Sequence, residues 1–474
     1  MESVDTKEKN ETIPVTFDSD NWTRFFSIRR STNKVVILLI YMVGFSEGLL
    51  HLSNLAIYYM FKDDFGLSPA QLSLVYAIPY IPFIIRPSLA YLTDTVPIFG
   101  TRRRHYLLFN SLAQSASFFF LAAVPNTLIL SILVLFVVFF TLAFCMTIAE
   151  ALVVENITEN RDNLSGLLLS RAFSTLLVSY FSGSLLEKHS KQRLFFITGF
   201  FPLLIMAVAY FMKEENEPVV FESHPMKDLV SFLKQPVILH PCLYLFLVVS
   251  TPGYHDAFTY YTIDVLGYSP SFMGVLRLVY AAAVILGIGL YRFFFKEASV
   301  KKIFFWCSLI ANSFYGLPLL VSSGLSAKMG IPDKPLVLCS GFLTEAVFEI
   351  KSMPFLTYTT KVTPKGLEAS VFASILTLKS VGVVISKLLT SLFTYLFGIT
   401  NHNYDHMTLY IVFCTTNLFI VMIYLRKVPS KEVMDLLVTK QNMVDNPEHR
   451  RGKLEERHLM SGSTNSNMRH YDHE

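Results

Sequence analysis

The chain carries about twelve apolar stretches, each long enough to cross a bilayer, separated by short polar breaks. Lipid offers no partner for a backbone N–H or C=O, so a stretch of this length is stable there only as a helix that satisfies its own backbone. The boundaries fall at 34–61, 69–92, 105–124, 127–153, 164–186, 192–212, 237–263, 270–294, 302–323, 335–358, 367–398 and 407–425. A helix rises about 1.5 Å per residue and the hydrocarbon layer is about 30 Å thick, so each stretch spans it and the longest must tilt. Only 16% of the 474 residues are charged and mean hydropathy is +0.46, where a soluble chain carries about 25% charged residues. The fold class expected is an all-α membrane protein with twelve transmembrane helices in two six-helix halves.

Charge recurs inside stretches 1, 2, 4, 5, 7, 8, 10 and 11 and is missing from the interiors of 3, 6, 9 and 12. A charge in hydrocarbon costs roughly 2.5–3.5 kcal/mol even on a lenient scale, so these groups face water or one another. Every third helix then reads as a lipid-facing buttress around a polar path, the layout of a carrier. The longest polar break, 213–236, separates a first half (34–212) from a second (237–425). Two embedded halves suit a repeat architecture with the substrate at their interface. Residues 1–33 read as a polar tail, 426–474 as a disordered one, and Met226 to Leu233 as a short surface helix. Lys and Arg concentrate in the loops on the side of the N-terminus, which puts both termini in the cytoplasm, with the plasma membrane as the expected site. Sequons at Asn10, Asn21, Asn156 and Asn163 then lie on the cytoplasmic side and carry no functional message. The first apolar run is too long for a cleaved signal and reads as a retained span. The net charge of +4 gives no nucleic-acid patch, and the five cysteines lie within apolar stretches without disulfide or zinc spacing. Neither cofactor nor metal is expected.

Within the spans, Glu47 sits about 20 Å along the first helix, with His51 one turn further on the same face. Such a pair can relay a proton or hold a polar ligand, or it can lock helix packing. Glu345 and Glu349 share a face of span 10, followed by Lys351; two neighbouring acids suit proton exchange, while acids beside a base can also be structural. Span 7 holds Pro252, Gly253, Tyr254, His255, Asp256, Phe258, Tyr260 and Tyr261. Pro-Gly breaks the helix and frees backbone groups, and the aromatics can stack on a flat heterocycle or form an interfacial belt. Arg171, Arg277, Lys379 and Lys387 are intramembrane cations that can hold an anionic substrate or pair with Glu47, Glu150, Glu345 or Glu349. Between spans 2 and 3, Arg86, Asp94 and Arg102 to Arg104 can latch two helices at the cytoplasmic face; the basic cluster alone would be a topological anchor.

The segment from Arg86 to Tyr106 resembles the signature of the folate–biopterin transporter family, a branch related to the major facilitator superfamily. Pro87, Asp94, Pro97, Ile98, Phe99, Gly100 and Arg102 to Arg104 match, while Arg86 replaces a lysine and Ala90 a glycine. Ala151 to Glu155, preceded by Glu150, is similar to the end of the family's span 4, though Met146 replaces a second acid there. Phe258 to Arg277 and Val362 to Ile375 resemble two further stretches, with Thr363 in place of cysteine and Lys379 in place of a polar residue.

The resemblance implies a major-facilitator-like fold and import of a folate or pterin, with protons, by a monomeric carrier in the lipid bilayer. The substrate candidates are Glu47, His51, Arg171, Tyr254, Asp256, Tyr260, Arg277, Glu345 and Lys379. The proton-coupling candidates are Glu47, Glu150, Glu345 and Glu349, and the cytoplasmic gate is Arg86, Asp94, Gly100, Arg102, Arg103 and Arg104. Met146 keeps open a carrier of another small metabolite, such as a sugar, amino acid or methylated pyrimidine. A membrane-embedded transferase would need HxxxxD or DDxxD clusters, which the chain lacks.

Overall fold

The computed structural model describes residues 34–124, 127–155, 163–213, 233–295, 298–362 and 368–433. Residues 1–33 and 434–474, most of the 213–236 break and the Met226–Leu233 segment up to Phe232 lie outside them. The long helical segments are α1 (Lys34–Asp64), α2 (Pro69–Thr93), α3 (Arg104–Ala123), α4 (Leu128–Val153), α5 (Asn163–Lys188), α6 (Lys191–Phe211), α7 (Pro236–Asp264), α8 (Pro270–Phe295), α9 (Val300–Ser322), α10 (Asp333–Val362), α11 (Ala373–Leu396) and α12 (Met407–Lys427). Ten of these are long and apolar enough to cross a membrane. The other two, α5 and α10, are 26 and 30 residues long but more polar, because they carry interior charges.

Two turns show the same local design. Phe65-Gly66-Leu67-Ser68-Pro69 ends α1 and opens α2; Leu266-Gly267-Tyr268-Ser269-Pro270 ends α7 and opens α8. Gly66 and Gly267 take φ of 62° and 65°, a left-handed conformation that glycine adopts without steric cost. The next amide bonds back across six residues in both, Leu67 to Phe61 and Tyr268 to Thr262. Ser68 and Ser269 then cap the following helix, and proline fills its first position. The internal repeat is short, and it marks equivalent points of the two halves.

One apolar cluster draws only on residues from Leu39 to Met212, another only on Val237 to Val428. A third joins the two sets, combining Tyr58, Leu67 and Val75 with Tyr254, Tyr260 and Met273. Packing between the first six and last six helices runs through α5 on α8 and α2 on α11. At the α5–α8 crossing Gly183 meets Gly274, where a Cβ on Gly183 would stand 2.3 Å from the Pro270 carbonyl oxygen.

Candidate functional site

The α1–α5 contact is built on absent side chains. A Cβ on Gly48 would lie 1.9 Å from Ser174 Oγ and 2.3 Å from the Arg171 carbonyl oxygen. That close approach brings Arg171 Nη1 to 3.5 Å from Glu47 Oε1, and the other Glu47 oxygen is buried with no hydrogen-bond partner. A single contact of this length is weak. The Arg171 side chain is 40% exposed in mid-helix, so it faces an open cleft. His51 turns away from Glu47 in bonding terms: its Nδ1 lies 2.7 Å from the side-chain Nδ2 of Asn54. Glu47 therefore pairs across helices, and the Glu47–His51 couple suggested by spacing is not bonded.

Arg171 also acts electrostatically on Glu349 and Glu150, and Lys379 on Glu349 and Glu345. Charges of both signs from α1, α4, α5, α10 and α11 thus surround one interior region. Lys379 is exposed, and Glu349 accepts from Ser352 Oγ on its own helix. Lys351 leaves this group: it is buried with its Nζ 5.2 Å from the Phe348 ring. Arg277, on α8, has no hydrogen bond or ion pair among the described residues; its electrostatic neighbours include Tyr76, Tyr58, Tyr59, His51 and His255.

The broken half of α7 forms a joint. The helix stops at Ser250 and restarts at His255, as Pro252-Gly253 suggests. The freed backbone groups are then taken by neighbours: Thr390 Oγ1 accepts from the Gly253 amide, Ser386 donates to the Thr251 carbonyl, and Tyr410 donates to the Gly253 carbonyl. Asp256 lies 2.7 Å from both Ser73 Oγ on α2 and Lys387 Nζ on α11. Tyr260 donates to the Leu67 carbonyl at 2.8 Å and Tyr254 to the Tyr315 carbonyl. Lys62 and Asp264, at the ends of α1 and α7, stand 2.6 Å apart. Buried tyrosines here are packing and bonding groups, not an interfacial belt. Sequence reasoning missed Ser73, Lys62 and Asp264; the repeated turn beside Lys62 and Asp264 was the available signal.

At the opposite end, Arg86 Nη1 lies 3.2 Å from Glu150 Oε1 and its guanidinium 4.7 Å from the Phe83 ring. Phe99 and Gly100 both take positive φ, 48° and 76°, in a two-residue turn whose flanks Ile98 and Thr101 exchange both backbone hydrogen bonds. Arg104 donates to the Tyr210 carbonyl at 2.8 Å, fastening α3 to α6, and Arg103 is buried. Arg102 is partly buried at the start of this cluster. The Asp94 side chain lies outside the described residues. Met146 is 3% exposed within the apolar cluster of the first half.

A profile of the BT1 family matches residues 47–447. Folate transporter 2 of Plasmodium falciparum (isolate 3D7) is 39% identical over 412 residues, covering 85% of this chain and 90% of its own. The putative folate transporter 2 of Plasmodium berghei (strain Anka) is 40% identical over the same shares. The folate-biopterin transporter of Synechocystis sp. is 31% identical over 87% of this chain and 85% of its own. Among solved structures, the nucleoside transporter NupG aligns with a TM-score of 0.64 at 12% identity, over 83% of this chain and 100% of that one. A D-xylose-proton symporter aligns at 0.63 and 12%, over 85% and 98%. The chain is a multi-pass membrane protein with a major-facilitator-like fold.

Proposed function

The chain belongs to the BT1 family, the folate–biopterin transporters its second loop resembles, and from that premise we propose that it carries folate- or pterin-type compounds across a membrane by alternating access, coupled to protons. The observation that carries the reading is the interior set of charges in which Arg171, paired with Glu47, lies within electrostatic range of Glu150 and Glu349, and Lys379 of Glu349 and Glu345. A folate combines a flat heteroaromatic ring with carboxylates, and such a cluster offers counter-charges to both its anionic end and its ring donors. Twelve spans in two halves, 34–212 and 237–425, rock about this cleft. Glu47, Glu150, Glu345 and Glu349 are the proton-exchange candidates, as carboxylates carried within the spans. The Lys62–Asp264 and Asp256–Lys387–Ser73 contacts close one end of the cleft, and the Arg86–Tyr106 region the other. A monomer in the plasma membrane with both termini cytoplasmic completes the proposal.

The transferase alternative falls away, because the named relatives are transporters. A carrier of another small metabolite is the second reading, and the observation that favours it is Met146 standing where the family carries a second acid.

The test is uptake of radiolabelled folic acid by cells expressing the protein, at acid and neutral pH, with and without a protonophore. Saturable uptake that is stronger in acid and lost with the gradient is expected. No uptake of folic acid or biopterin, with the protein present at the cell surface, would overturn the substrate assignment; uptake indifferent to the gradient would overturn the coupling alone.

A further inference from the structure

We infer that Tyr76 and Tyr80, at the centre of α2, form the subsite for the flat ring of the substrate, each offering ring surface and an unspent hydroxyl to a heterocycle with polar edges. The inference deepens the folate reading and rests on it for the identity of the ring.

The tyrosines that spacing pointed to on α7 are already engaged. Tyr254 and Tyr260 are 4% and 0% exposed, and their hydroxyls donate to the Tyr315 and Leu67 carbonyls. On α2 the balance is different. Leu74, Ile81 and Ile85 are 47%, 43% and 41% exposed and share one side of the helix, which marks its outer face. The inner side carries Ser73, Tyr76, Tyr80 and Phe83, and both ends of this stripe are occupied. Ser73 donates to Asp256 at 2.7 Å. At the other end the Arg86 guanidinium lies 4.7 Å from the Phe83 ring centre and holds Glu150 at 3.2 Å. Between them Tyr76 and Tyr80 are half-buried, and neither hydroxyl has a hydrogen-bond partner among the described residues. Exposure on the inner side opens onto the same cleft that exposes Arg171.

The backbone points to the same place. Ile78–Phe83 tightens to 3₁₀ geometry around Pro79 and Pro82, which have no N–H to give to the carbonyls one α-turn back. The break in α7 is closed by its neighbours, with Ser386, Thr390 and Tyr410 bonding its freed groups. In α2 no side chain among the described residues donates to a carbonyl between residues 75 and 83. Broken helix is tolerated at membrane depth where it is buried in protein or lines a polar cavity.

Both halves reach this segment. The Tyr80 ring meets Phe139 of α4 at 5.7 Å between centroids, and Lys387 Nζ of α11 stands 5.7 Å from the Tyr76 ring centre. A phenol hydroxyl both donates and accepts. A pterin ring carries amino and amide N–H donors together with nitrogen and carbonyl acceptors along its edge, so two hydroxyls one turn apart can bond it while Tyr76, Tyr80 and Phe139 supply apolar ring surface. A ring held there touches α2 and α4 of one half and α11 of the other.

The experiment uses purified full-length protein and two fragments of folic acid: pterin, which is the ring, and p-aminobenzoyl-L-glutamate, which lacks it. Affinity is read from the concentration dependence of thermal stabilisation for wild type, Tyr76→Phe, Tyr80→Phe, the double variant and Tyr80→Leu, with folic acid and biopterin uptake measured in parallel. Tyr395→Phe, at a tyrosine 75% exposed near the end of α11, is the control. Loss of one neutral hydrogen bond is expected to weaken pterin by about fivefold in each single Phe variant and by more in the double. Tyr80→Leu, which also removes ring surface, weakens it by about tenfold or more. Binding of p-aminobenzoyl-L-glutamate stays within about twofold of wild type throughout, and Tyr395→Phe changes neither fragment. Pterin binding undiminished in the double variant, equal loss of both fragments, or no pterin binding by wild type overturns the subsite. Tyr80→Phe decides the matter if the double variant does not fold: unchanged pterin binding then counts against it. Wild type that binds pterin through the two hydroxyls but transports neither folic acid nor biopterin keeps the subsite and overturns the folate reading. Folic acid uptake by wild type, with pterin binding undisturbed in the double variant, does the reverse.

Discussion

Arg86 and Glu150 face each other at 3.2 Å with side chains only 10% and 14% exposed. The pair joins α2 to α4 within one half. Sequence reasoning placed these residues in different roles, Arg86 in a gate and Glu150 among the proton acids; the pairing makes either role depend on the other residue.

Removing one member leaves a buried charge without its partner. Arg86→Ala or Glu150→Ala is expected to cost roughly 3–5 kcal/mol, while a paired apolar replacement, Arg86→Met with Glu150→Leu, costs less than either. Thermal unfolding of the purified variants checks this. A double variant less stable than both singles would show that the charges are not coupled.

The Glu47–Arg171 contact depends on Gly48. Any side chain at Gly48 collides with the α5 backbone, whereas a Cβ on Gly289 meets nothing within 4 Å. Gly48→Val is expected to abolish correctly assembled protein. Gly289→Ala is expected to be neutral or to stabilise by up to about 1 kcal/mol through helix propensity. Size-exclusion profiles from matched membranes distinguish them, and a monodisperse Gly48→Val peak would refute the packing argument.

Lys62 and Asp264 link the ends of α1 and α7 at 2.6 Å. If the halves part there during transport, Lys62→Cys with Asp264→Cys, made in a Cys339→Ser background because Cys339 is the exposed cysteine among the described residues, should be arrested by a short reducible thiol crosslinker. Reduction should restore uptake. Full crosslinking with undisturbed uptake would mean that this joint stays closed throughout the cycle.

Gly100 sits at φ 76° beside Phe99 at φ 48°. Gly100→Val forces a β-branched residue into the left-handed region, at a cost of about 1–2 kcal/mol. Lowered thermal stability is expected, with Gly100→Asn closer to wild type because asparagine tolerates that conformation. Equal stability of all three proteins would show that the turn opens without cost.

The apolar stretches fixed the helices, because lipid leaves a long apolar segment no other stable backbone, and the observed segments begin and end within a few residues of those read from hydropathy. The loop from Arg86 to Tyr106 sufficed for the family. The sequence also placed charge inside particular spans and a break at Pro252-Gly253. Which charges meet was a tertiary matter. Glu47 chose Arg171 over His51, Asp256 found Ser73 and Lys387, and Arg277 was left among tyrosines and histidines. Spacing along one helix reports only that residues share a face, and the partner across that face comes from another helix. Crossings such as Gly48 against Arg171 and Gly183 against Gly274 set those distances, and they depend on how two helices far apart in sequence are brought together.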